Sequence, residues 1–415
     1  SPRGQPPGGG RPPRPAPLSA DGNWAGTPVN AVTEPLAALP PLLRAIAADA
    51  PRHDRDGSFP FASIERLRQA GVLSLTVPAA LGGGGAGLRL AARAVEQVGQ
   101  ACPATALVLA MQLLKQATLA RSPAWPPALR ELVGRSAVTE GALINALRVE
   151  PELGSPTRGG LPATVARRTS DGWLIIGRKR YATGAPALRW FEVFARTEEP
   201  EPRVGSFLVP AGAPGIEIVE TWDHLGLRAS GSHDVVFHSV PIPAEHAIGL
   251  APPAAAARPD ALQAAWNAVL VTAVYTGVAR AARDWIIGFL RSRVPSGLGA
   301  PLATLPRVQE QVGAIDGLLA ANARIAEAVA LAADAGRPPG AAESGLHKVT
   351  LAENAVRAVE LAVALAGNHA HDRANPLERH WRDVQCARVH VPTADAAHLA
   401  AGRLALADVV PEGVP

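Results

Sequence analysis

Ala163-Thr-Val-Ala-Arg167, Trp173-Leu-Ile-Ile-Gly177, Phe191-Glu-Val-Phe-Ala-Arg196, Val204-Gly-Ser-Phe-Leu-Val209, Ile216-Glu-Ile-Val219 and Asp234-Val-Val-Phe237 are short runs rich in β-branched and aromatic residues, separated by Gly, Asp and Pro. Such runs read as strands of a small sheet or barrel. Upstream the apolar period is helical, to about Arg148: Leu36, Leu39, Leu42, Leu43, Ile46 and Ala47 share a face, a second helix begins near Phe59 and stops at Gly71, and Ala101 to Leu119 reads as a buried helix. Downstream, Ala261 to Arg291, Pro306 to Ala333, Glu343 to Gly367 and Thr393 to Leu406 read as helices. The expected organisation is α+β: a disordered Pro/Gly/Arg-rich tail over 1–30, an N-terminal helical domain over 31–143, a central β-barrel-like domain over 144–250 and a C-terminal four-helix bundle over 251–415. Without alternating β and α units, a Rossmann domain is not expected.

Composition narrows the partners. Of 415 residues, 47% are apolar and 18% charged, and the net charge is +4. Arg3, Arg11 and Arg14 concentrate positive charge in the tail, and the near-neutral remainder carries no nucleic-acid footprint. Cys102 and Cys386 lie far apart with no metal-type spacing, which fits a reducing compartment. Neither an apolar run approaching the roughly 20 residues of a membrane span nor a signal-peptide core near the start is evident. A cytoplasmic protein away from membranes is expected.

Three polar loops could carry chemistry. Glu150-Pro-Glu-Leu-Gly-Ser155 offers backbone donors and a hydroxyl to an anion, or is an ordinary loop. Gly177-Arg-Lys-Arg-Tyr-Ala-Thr-Gly184 presents the Tyr181 ring and the Thr183 hydroxyl, or is a hairpin turn. Leu225-Gly-Leu-Arg-Ala-Ser-Gly-Ser-His-Asp234 is the third, with Ser232 and His233 facing a ligand or closing a turn. His369 and His371 with Asp372 look like a metal cluster, but the two His would lie on opposite helix faces with no third ligand evident, so no metal is expected. A Ser-His-Asp hydrolase lacks its strand-to-helix Ser turn.

In this order, with helices around them, the three loops resemble the acyl-CoA dehydrogenase superfamily, from about Ala31 to Leu406. Val77-Pro-Ala-Ala-Leu-Gly-Gly83, Val235-Val-Phe-His-Ser-Val-Pro-Ile-Pro243 and Pro376-Leu-Glu-Arg-His-Trp-Arg-Asp383 extend the likeness. The resemblance implies a homotetrameric flavoprotein. Ser155, Tyr181, Thr183 and Gly184 would hold flavin from the β domain, Arg293 and Gln309 from the bundle. Trp266, Asn267 and Ser232 would face the substrate, with core packing the other reading of Trp266.

The dehydrogenases' catalytic Glu follows the Arg-Asp pair at a fixed interval. Here that position holds Val391, next to His390, and the alternative base position on the first bundle helix is empty, since Ala261 to Arg283 contains no Asp or Glu. Pro306 stands where the family's first Gln falls, and the Gly-Gly turn reads Gly367-Asn-His-Ala-His371. These departures fit FMN or a transient reduced flavin as well as FAD. Arg379-His-Trp-Arg382 and His390-Val-Pro392 resemble the two-component flavin monooxygenases of the desulfurisation type. That branch often has a further His where this chain reads Ala110-Met-Gln-Leu-Leu114. The expectation is a monooxygenase acting on a small apolar or aromatic substrate, with reduced flavin supplied by a separate reductase. His390, with a pKa near neutrality, is the expected proton donor; a core histidine is its other reading. Glu378, Arg379, Arg382 and Asp383 read as an ion-pair network. An acyl-CoA dehydrogenase with a relocated base and a non-catalytic flavin- or acyl-binding protein are the alternatives.

Overall fold

Continuous apolar stretches become helices here because other elements cover them. The structure is a computed structural model that describes residues 36, 39–152, 161–256 and 260–407, so the expected tail over 1–30 lies outside the described residues. Five helices come first: α1 (Leu39–Asp56), α2 (Phe61–Gln69), α3 (Leu88–Ala101), α4 (Pro103–Arg121) and α5 (Pro127–Thr139). Mostly apolar α4 is buried around most of its circumference.

The strands follow: β1 (Leu143–Leu147), β2 (Val165–Arg168), β3 (Gly172–Ala182), β4 (Leu188–Thr197), β5 (Val204–Pro210), β6 (Ile216–Val219), β7 (His233–Pro243) and β8 (Ala247–Ala251). They form one sheet in the order β6-β7-β3-β2-β4-β5-β8, with β1 pairing β4 in parallel. Among the described residues no pairing joins β6 to β8, and the expected order holds: a central sheet domain between two helical ones. β1 was expected to continue a helical region. Its run is buried on both faces and so lacks the alternation that marks a half-buried strand.

The C-terminal helices are α6 (Pro253–Ala256), α7 (Ala261–Ser292), α8 (Pro306–Asp334), α9 (Ala341–Ala366), α10 (Leu377–Gln385) and α11 (Ala394–Ala405). Helices α7, α8 and α9 pack on one another and α11 on α9. Asp260 starts α7 by accepting from the backbone N–H groups of Leu262 and Gln263. α7 corrects a second expectation, because it is long and apolar enough to cross a membrane; 72% of that window is buried inside the protein.

Two features stand out among the contacts that join the helical domains. Helices α3 and α7 cross where Gly99 and Gly277 let the backbones touch: a Cβ on Gly99 would sit 2.6 Å from the Val274 carbonyl oxygen. Asp334, at the end of α8, accepts from the N–H groups of Leu88 (2.6 Å) and Arg89 (3.1 Å) and so caps α3 from another domain.

Candidate functional site

Near its end β3 adopts a conformation that costs a non-glycine residue. Tyr181 has φ 57°, and its ring is 44% exposed. Trp222 and His224, stacked at 3.7 Å, present edges to it, and the Arg180 guanidinium lies 5.0 Å from its centroid. Two residues on, Thr183 Oγ1 meets Ser232 Oγ at 2.9 Å, and Ser230 Oγ meets Ser232 Oγ at 2.7 Å. Gly184 donates its N–H to the Ser230 carbonyl at 2.9 Å, and a Cβ there would lie 3.3 Å from Val108 of α4. His233 accepts from the Trp222 N–H at Nδ1, closing the turn.

Beneath these hydroxyls the β domain is tied to α10. Leu227, with φ 52°, donates its N–H to Asp383 Oδ1 at 2.7 Å. Burial pushes the Asp383 carboxyl up to about 6, against the pull of that N–H. Arg382 forms paired bonds to Glu378 and to Asp54 of α1 and one to the Leu225 carbonyl. Buried His380 beside Arg379 is held down at about 3 and is neutral.

The helical side supplies a different group. The Tyr275 hydroxyl on α7 meets His390 Nε2 at 2.5 Å. Lys348 of α9 donates to the carbonyls of Ala387 (2.9 Å) and His390 (2.7 Å). Asn267, two turns before Tyr275, donates to the Val391 carbonyl at 3.0 Å. Three side chains from two helices thus fix residues 387–391. The expected near-neutral pKa of His390 is corrected: burial first, then the Lys348 cation, push it down to about 4. Buried Tyr275 is raised well above its usual value and keeps its proton. At neutral pH a protonated Tyr275 donating to a neutral imidazole assigns Nε2 as acceptor and leaves Nδ1–H as the ring's donor.

Other expected residues lie elsewhere. Trp266 is 2% exposed, within the core, under Arg121 at 4.8 Å. Arg293 and Gln309 are exposed near the far end of α7, and Gln309 donates to the Ala303 carbonyl. Eighteen residues separate Tyr275 from Arg293, about 27 Å at helical rise, so one subunit does not bring both to one small ligand. Ser155 lies outside the described residues. Gln112, on the stretch where a further His was considered, donates to the carbonyls of Leu73 and Ala142 and accepts from the Ile144 N–H; these bonds stitch α4 to β1.

The residues that sequence reasoning missed are Tyr275 and Lys348. A signal existed: the chain has only three lysines, Lys115, Lys179 and Lys348, and all three are buried, at 7%, 0% and 1% exposure. Lysine is almost never fully buried without a partner.

The β-side surface fits a flavin. Three hydroxyls share two contacts, which leaves one O–H free to donate. Beside the open Tyr181 ring, Arg180 Nε and His224 Nδ1 are buried without a hydrogen-bond partner. A part-exposed aromatic ring, with Arg180 over it and in ion-pair range of Asp234 (3.6 Å), suits a planar heterocycle on its remaining surface.

Known proteins share this architecture. Family models of the acyl-CoA dehydrogenase N-terminal, middle and C-terminal domains match residues 42–121, 148–240 and 269–394. A putative acyl-CoA dehydrogenase, YdbM of Bacillus subtilis, is 34% identical over 83% of this chain and 89% of that protein. L-evernosamine nitrososynthase of Micromonospora sp. is 32% identical over 85% of this chain and 84% of its own. The solved structure of KijD3 in complex with FMN and dTDP-3-amino-2,3,6-trideoxy-4-keto-3-methyl-D-glucose superposes with a TM-score of 0.80 at 30% identity, covering 94% and 97% of the two chains.

Proposed function

The chain belongs to the acyl-CoA dehydrogenase family of flavin-dependent oxidoreductases, and from that premise we propose that it oxygenates a small molecule with reduced flavin delivered by a separate reductase. One observation carries the reading: among the described residues, the side chains that hydrogen-bond where α7 meets residues 387–391 are Tyr275, His390 and Asn267, none of them a carboxylate. Dehydrogenation of an acyl thioester needs a base beside the substrate's α-carbon. Val391 offers only its carbonyl, already bonded to Asn267. Asp383, the carboxyl raised to about 6, is 2% exposed and committed to Leu227. The nitrososynthase relative and the FMN-bound neighbour also support oxygenation.

Tyr181, Thr183, Gly184, Ser230 and Ser232 would hold the flavin ring from the β domain. Reduced flavin, when bound, supplies the electrons that activate dioxygen. The neutral Nδ1–H of His390 would be a donor able to stabilise negative charge developing on oxygen without first losing a proton of its own. Tyr275 fixes that tautomer, and Asn267 and Lys348 hold its backbone. The apolar composition of α7 would favour an apolar or aromatic substrate body. In a cytoplasmic homotetramer, exposed Arg293 and Gln309 would serve a neighbouring subunit's flavin.

Oxygen consumption that requires a flavin reductase, together with substrate-dependent product, is the expected result. If oxidised FAD on the wild-type chain instead bleaches with acyl-CoA, a dehydrogenase base exists and the proposal is wrong. Val391→Glu places a carboxylate at the family's base position and is expected to introduce slow bleaching of bound FAD by acyl-CoA.

A further inference from the structure

We propose that Lys348 is a positioning residue for His390, its ammonium clasping the backbone that carries the imidazole and its charge acting on the ring. This inference deepens the reading of the same site and rests on it for the role of His390.

The three lysines differ in what answers their charge. Lys115 pairs with Glu192, and Lys179 pairs with Glu150 at 2.6 Å. Lys348 is as buried as these, yet among the described residues no carboxylate lies within ion-pair distance. Its hydrogen-bond partners are two carbonyl oxygens, those of Ala387 and His390. A buried ammonium without a counter-ion is costly. Burial lowers this one to about 8, with Glu353 resisting, so it remains mostly charged at neutral pH.

A plain spacer would not require a charged head. Two carbonyl bonds to residues 387 and 390 close a turn whose last residue is His390, so the ammonium fixes the height of the imidazole above α9. The same charge disfavours a second positive charge on the ring. The groups facing this centre are Lys348 and Glu353 from α9, Tyr275 from α7, and Asp383 and Cys386 from α10 and the turn after it, with Glu353 itself paired to Arg388 at 2.7 Å. Burial pushes the Cys386 thiol up to about 12 and keeps it neutral. The carboxylates act on Lys348 and Tyr275, leaving Lys348 as the charge that reaches His390.

The test is a histidine titration by NMR on the full-length chain without flavin, labelled at the imidazole carbons, with His390→Gln identifying the His390 signal. In the wild type that signal should titrate well below 6. In Lys348→Met its midpoint should rise by about one pH unit; in Lys348→Arg it should stay near the wild-type value. Lys348→Gln keeps N–H donors but removes the charge, so its midpoint should rise even if the turn is held. It also serves if the Met variant fails to fold. An unchanged midpoint in a folded Met or Gln variant would overturn the proposal. The readout needs no turnover: a shifted midpoint in a chain with no reductase-dependent oxygen use would sink the oxygenase reading and leave the Lys348 inference standing.

Discussion

His390 shows how a motif and its chemistry part company. Its place two residues before Pro392 was legible, but its protonation state was not. That state depends on Tyr275 and Lys348, which lie 115 and 42 residues away in sequence. With the imidazole at about 4, activity that depends on it should be flat through neutrality and fall only below about pH 5, as the ring charges and Nε2 ceases to accept from Tyr275. A pH–rate profile centred near 6.5 would contradict the neutral-donor role. Replacing His390 by Gln or Ala should lower product formed per oxygen consumed by about 10²-fold, the scale of a lost charge-stabilising donor. Trp266 and Asn267 make the complementary point. Adjacent in sequence, they face opposite ways, one into the core and one onto Val391, and sequence alone did not say which.

Elements were legible where periodicity was strong and obscure where burial was uniform. Helices α7, α8, α9 and α11 fall within two residues of the expected ends. β1 was absorbed into the preceding helical region because a strand buried on both faces carries no alternation. Short α10 was read as a motif rather than a helix. The α3–α7 crossing gives a sharp prediction. Gly277→Ala would push a Cβ into the Glu96 carbonyl and should destabilise the chain by about 3 kcal/mol, as overpacking does, read as a lower denaturation midpoint. Asp334→Ala should cost about 1 kcal/mol through loss of the α3 cap. An unchanged midpoint would mean water replaces the carboxylate.

Across the whole molecule, Arg382 joins the first helical domain, the β domain and α10 through Asp54, Leu225 and Glu378. The charged stretch 378–383 was expected as an ion-pair network, but its reach to α1 depends on folding. Arg382→Met should cost about 3 kcal/mol, since it leaves partly buried carboxylates unpaired; equilibrium denaturation checks it. Acid should act in a defined window. His390 and His380 sit near 4 and 3 when folded and near 6.5 when unfolded, so the unfolded chain takes up protons first and stability falls as pH drops from 6.5 toward 4. Asp383, raised to about 6, opposes this by protonating first in the folded state. Two depressed histidines outweigh one raised carboxyl, leaving a net loss on the order of a few kcal/mol by pH 4.

The central claim, that this site works with reduced flavin delivered from outside and lacks a dehydrogenase base, is tested most directly by flavin titration of the purified chain. Oxidised and photoreduced FMN and FAD are each titrated, followed by a pulse of acyl-CoA. Markedly tighter binding of the reduced flavin, with no bleaching of the oxidised form by acyl-CoA, is the predicted result. Tightly held oxidised FAD that acyl-CoA bleaches would contradict it.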